Sequence, residues 1–87
     1  MANLHLLFSS NALHRIPLAK DDALVLLNDA VLLALRNVAS IKNPVYARAA
    51  DIEARGLTNL ALAHTQVIND EQWVALCLQF DKTLSWI

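Results

Sequence analysis

The apolar positions of this chain fall in short unbroken runs separated by small polar residues, which predicts strands alternating with helices. Leu4 to Phe8 is apolar except for His5 and leads into Ser9-Ser10-Asn11, so it reads as a strand ending in a turn or helix cap. Asn11 to Arg15 can form a helical turn, which Pro17 stops from extending through Ile16. Ala23-Leu24-Val25-Leu26-Leu27 has no polar alternation and suits a strand covered on both faces, as in a central parallel strand. Asn28 or Asp29 can then cap a helix over Ala30 to Asn37, apolar nearly all round and so expected to be buried on more than one side. Val45-Tyr46-Ala47 is a third strand candidate. Asp51 to Arg55 reads as a short helical turn closed by Gly56, where a left-handed residue is wanted.

Thr65 to Ile68 is a fourth strand candidate and leads into the clearest local signal. Asn69 is a good N-cap, Asp70 and Glu71 suit the positive end of the helix dipole, and Gln72 takes the capping-box position. Ile68 and Trp73 can close a hydrophobic staple around that cap. On a helix from Asp70 to about Lys82, Trp73, Leu76, Cys77 and Phe80 share one face, and Val74 and Leu78 extend it. Thr83 to Ile87 can form a last short strand. The alternation gives an α/β fold: a three-layer domain with a mainly parallel central sheet of about five strands flanked by helices.

Composition narrows this further. The chain has 87 residues, enough for one core and hence one domain spanning 1–87. It is 56% hydrophobic and 17% charged, greasier than the usual soluble chain. No run is long enough for a membrane span, since Asn28 and Asp29 interrupt the longest one. The N-terminus also lacks the basic residues and apolar length of a signal peptide. The excess therefore predicts a dense core together with a subunit interface. A net charge of −1 argues against a dedicated nucleic-acid surface, and one Cys excludes an internal disulfide.

In parallel sheets ligands sit beyond the carboxyl ends of the strands. Those ends offer Ser9, Ser10, Asn28, Asp29, Arg48, Asn69 and Asp70, among which Asp29, Arg48 and Asp70 can form an acid–base or ion-pair cluster; the plainer reading is helix capping. Cys77, the one possible sulfur nucleophile, is expected inside the apolar helix face and not in the electropositive setting that activates a thiol. His5, His14 and His64 lack metal-ligand spacing, and His5 reads as a core histidine. One Gly cannot build a phosphate-cradling loop. The residues therefore point to no catalytic site, cofactor or metal. Arg36, Lys42, Arg48 and Arg55 form a basic stretch diluted by Asp51 and Glu53, a solvated or subunit-contacting face more than an RNA grip.

Several segments resemble a known family in order and over essentially the full chain. Val45-Tyr46-Ala47, Asp51-Ile52 and Ala54-Arg55-Gly56-Leu57 resemble the "VYAL…D…ARGL" signature of the TusB/DsrH family. Leu4-His5-Leu6 with Ser9-Ser10 resembles its opening, Asp22 to Val31 its "D-x-L-L-L-L-Q-D-G-V" segment, and Trp86 its terminal Trp. Ala30 replaces the family's Gly, and Arg48 the Leu after "VYA". The resemblance marks Asp29, Tyr46, Asp51, Arg55, Gly56 and Trp86 as motif residues and implies a DsrE-like fold.

It further implies a cytoplasmic, noncatalytic subunit of a TusBCD-like heterohexamer with TusC-like and TusD-like subunits. That complex relays persulfide sulfur from a TusA-like carrier to a TusE-like one for tRNA wobble-uridine 2-thiolation, or in DsrEFH form serves sulfur oxidation. No direct contact with nucleic acid or membrane is expected. Some DsrH-type chains carry a cysteine in the first third; here Met1 to Leu76 holds none, which favours a supporting role. Val31, Leu32, Leu35, Val74 and Leu78 are the candidate contact residues. Two other readings stand beside this one: a sulfur carrier using Cys77, and a homo-oligomeric module that binds a small anion near Asn69 and Arg48.

Overall fold

The computed structural model describes residues 2–9, 13, 15–35, 41–58 and 65–86. Strands β1 (Asn3–Leu7), β2 (Ala23–Leu26), β3 (Val45–Arg48), β4 (Gln66–Ile68) and β5 (Lys82–Trp86) form one sheet of order β4-β3-β2-β1-β5. Each of the four pairings is parallel. The expected α/β sheet is therefore present, and every strand delivers its carboxyl end to the same rim.

Every residue of β2 is buried, as its unbroken apolar run requires. Leu24 and Leu26 point into one core with Leu7, Val45 and Ala47; Ala23, Val25 and Leu27 point into the other with Leu4, Leu6 and Ile68. The connections from β1 through β4 advance in one direction, whereas the step from β4 to β5 returns past β1. With right-handed crossovers, that reversal sends the last helix to the opposite face. Ile52 of α1 (Ala49–Ala54) accordingly lies in the first core, and Leu76 of α2 (Asp70–Cys77) in the second.

The segment after β2 departs from expectation. It is a 3₁₀ helix at Asn28–Leu35, not an α-helix over Ala30–Asn37, and residues 36–37 lie outside the described ones. Asn28 takes a positive φ of 48° where the chain leaves the strand. At three residues per turn, Ala30 and Leu33 form one stripe and Val31 and Ala34 the next, all buried; Asp29 and Leu32 share the outward stripe. Val31 is fully buried in its own core, so it is not an outer contact residue, and Leu32 is half-exposed. The side chain of Leu35 lies outside the described residues.

Gly56 fulfils its expected role, with φ of 67°. The N–H of Leu57 donates to the Ile52 carbonyl and that of Gly56 to the Glu53 carbonyl, both at 3.0 Å. These bonds form a Schellman motif, closed by contact between buried Ile52 and Leu57. The Ala-Arg-Gly-Leu segment is thus a helix stop. A different stop acts on α2, which ends at Cys77 with turns through residues 78 and 79, short of Lys82. Its start is as predicted: Asn69 Oδ1 accepts from the Gln72 N–H at 2.7 Å, and Gln72 Oε1 accepts from the Asn69 N–H at 2.8 Å. Asn69→Ala removes one half of this box and is expected to cost about 1 kcal/mol in a urea melt. No helix among the described residues is long and apolar enough to cross a membrane.

Candidate functional site

The shared carboxyl rim gathers Ser9 after β1, Asn28 and Asp29 after β2, Arg48 ending β3, and Asn69 and Asp70 after β4. Ser10 lies outside the described residues. Arg48 is the hub. Its Nε donates to Asp70 Oδ1 at 2.7 Å and its Nη2 to Asp70 Oδ2 at 3.1 Å, a two-pronged geometry that favours arginine over lysine. Arg48 also stands 3.6 Å from Asp51 Oδ1 and 5.9 Å from the centre of the Trp73 ring. The hydrogen bond from Arg48 holds the Asp70 carboxyl below its ordinary value, and the same bond raises Arg48. Two neighbouring buried atoms, Asp51 Oδ2 and Trp73 Nε1, have no hydrogen-bond partner among the described residues.

Asp29 does not join this cluster. Its Oδ1 accepts from Nε of Arg55 at 3.2 Å and from Nη2 of the same side chain. The expected ion-pair cluster is therefore split into Arg48–Asp70 and Arg55–Asp29. The second pair bridges the start of the 3₁₀ helix and the close of α1. Both arginines are engaged by carboxylates, so the basic stretch presents no continuous cationic face here; its Arg36 lies outside the described residues. Tyr46 and three glutamines, Gln66, Gln72 and Gln79, line a shallow uncharged groove of about 290 Å³ between β4 and α2.

Cys77 is half-buried against the second core beside Trp73 and Phe80. It is the last residue of α2, not a mid-helix one, so the negative end of the dipole faces it. Burial pushes its thiol above the ordinary value. Both effects disfavour the thiolate that sulfur chemistry needs. Val74 and Leu78, expected to extend the core-facing arc, are instead 61% and 82% exposed.

His5, for which residue spacing points to no partner, anchors a buried polar network that reaches from β1 to Asp22 and Trp86. His5 Nε2 lies 2.8 Å from Asp22 Oδ2. Asp22 also accepts from the backbone N–H of Asn3 at 2.9 Å and of Ala19 at 3.0 Å. Trp86 Nε1 donates to His5 Nδ1 at 3.0 Å. Burial alone would raise the Asp22 carboxyl, but the bonds from Asn3, His5 and Ala19 together hold it below its ordinary value. His14 and His64 lie outside the described residues.

A family model described as "DsrH like protein" matches residues 8–83 of this chain. No curated protein matches it.

Proposed function

Because the chain belongs to the DsrH-like family, and so to a family of sulfur-relay proteins, we propose that it is a noncatalytic structural subunit of a TusBCD-like complex supporting tRNA wobble-uridine 2-thiolation. The observation that carries this reading is the setting of Cys77, the chain's one thiol. A relay cysteine must accept and release sulfane sulfur as an accessible thiolate. Cys77 is half-buried, has its thiol raised by burial, and sits where the helix dipole repels negative charge. The reactive cysteine is then a partner's, and this chain positions it.

The partners are TusC-like and TusD-like homologous subunits, with TusA-like and TusE-like carriers reached through the complex, in the cytoplasm. Val74 and Leu78 offer the exposed apolar contact such subunits would cover. Co-expression with C-type and D-type partners followed by sizing tests this directly; failure to co-purify with either removes the proposal. Native Cys77 is also expected to react with an aromatic disulfide reagent at least roughly tenfold more slowly than the same chain in urea. Rapid native labelling, together with capture of labelled sulfur on Cys77, would move the carrier role to this subunit.

A further inference from the structure

A buried histidine joins the edge strand β5 to the sheet interior, and its hydrogen bonds accommodate one ring proton only. An indole nitrogen donates and never accepts. Trp86 Nε1–H, 3.0 Å from His5 Nδ1, therefore requires that Nδ1 be a bare acceptor. The ring proton then lies on Nε2 and is donated to Asp22 Oδ2 at 2.8 Å. His5 and Asp22 are each 1% exposed, so water cannot take over a lost bond. Indole and imidazole also stack, with centres 6.0 Å apart and planes at 29°.

This contact carries unusual weight for β5. Lys82, Thr83, Leu84 and Ser85 are exposed, and Trp86 is the one half-buried residue of that strand. Besides its backbone ladder with β1 and the paired Ala2–Asp81 bonds just before its first residue, β5 is held on the sheet by this side chain.

We propose that His5 is a proton-operated latch for β5: neutral, it accepts Trp86 and clasps the strand; protonated at Nδ1, it frees Trp86 while keeping Asp22. One proton is taken from solvent and one N–H bond forms. The bond to Trp86 breaks because two N–H groups then face each other. The Asp22 carboxylate keeps its bond from the Nε2–H in both states.

The other charged groups around the ring lie at its margins. Lys82 shares that face of β5 at the strand's exposed start, and Lys20 and Asp21 flank Asp22 but are exposed. From β2, Leu24 is in register with His5. The 3₁₀ helix over this core contributes Ala30, Val31, Leu33 and Ala34, while its Asp29 is held by Arg55. Arg15, on the segment whose Leu13 and Ile16 pack against this core, is exposed and has a partner of its own.

Nuclear magnetic resonance on the full chain tests the latch, following the His5 ring and the Trp86 indole N–H from about pH 8 to 5, the range in which imidazoles titrate. The expected result is a single midpoint for both signals. Below it, solvent exchange of the Trp86 N–H and of the β5 amides should be at least tenfold faster, while β2 stays protected. Trp86→Phe keeps an aromatic ring but removes the donor, and is expected to tighten proton binding at His5 roughly tenfold, the worth of one hydrogen bond. His5→Gln, which can still donate to Asp22 but cannot take a proton, should abolish the pH response of β5. The proposal is overturned if His5 titrates while the Trp86 signal stays put, or if the chain acid-unfolds with its ring still neutral. Unaltered proton binding in Trp86→Phe, or a retained β5 response in His5→Gln, would overturn it equally.

Discussion

Replacing Asp22 by alanine is expected to cost about 3–5 kcal/mol of folding stability, the range seen when one partner of a buried polar or charged pair is removed. A fall in the urea midpoint at constant slope is the measurement. The size of the effect follows from what the carboxylate holds. Asn3 N–H, Ala19 N–H and the His5 ring all donate to it inside a site that is 1% exposed. Alanine leaves the buried His5 donor without an acceptor and bearing its desolvation cost, and takes the acceptor from the partly buried N–H groups of Asn3 and Ala19 as well. A domain of ordinary stability has only about 5–15 kcal/mol in total, so this variant should sit close to unfolding at room temperature.

The same residue gives the stability an acid limb. The folded Asp22 carboxyl is held below its ordinary value, so its contribution is complete above the unfolded value of about 4 and is lost as pH falls through the lower folded one. Asp22→Asn keeps the shape and one acceptor oxygen but cannot ionise. It should lose less than the alanine variant near neutral pH and lack this share of the acid limb. An acid limb of wild-type size in Asp22→Asn would assign that sensitivity to other carboxylates.

What could be read from the chain alone divides by the range of the interaction that writes it. The Asn69–Gln72 capping box, the Gly56 helix stop and the unbroken run through Leu24 and Leu26 are local or compositional, and each produces the element it predicts. The 3₁₀ character of Asn28–Leu35 was not legible: an all-round apolar segment carries little periodicity, so packing decides its winding. The early stop of α2 at Cys77 was missed for a related reason. Apolar spacing persists through Phe80, but the chain must turn there to lead β5 back beside β1.

The candidate site shows the same division. Proximity of Arg48 and Asp70 followed from the parallel rim alone, since both sit at strand ends. The Arg55–Asp29 clasp and the Trp86–His5–Asp22 chain join segments far apart in sequence, the latter by contacts spanning 81 and 17 positions. No local spacing encodes such contacts, and the resemblance of those segments to a family signature gave their identity without their partners.

Exposed apolar residues on α2 allow stability and assembly to be separated by experiment. Val74→Lys combined with Leu78→Lys is expected to leave the isolated chain within about 0.5 kcal/mol of its starting stability, since neither side chain packs in the core. Lysine is chosen over aspartate on physical grounds. It is a better helix former than valine, and a cation near the helix C-terminus suits the dipole. Any loss of association then cannot be charged to a weakened helix. If these residues seat against homologous apolar subunits, burying two ammonium groups there should weaken assembly by at least roughly thirtyfold, the effect of losing one strong interface anchor. Sizing of the co-expressed complex reads this out, with thermal melts of the variant alone as the control. A complex that forms as well as the wild type would move the contact elsewhere, with half-exposed Leu32 on the opposite face of the sheet as the next place to substitute.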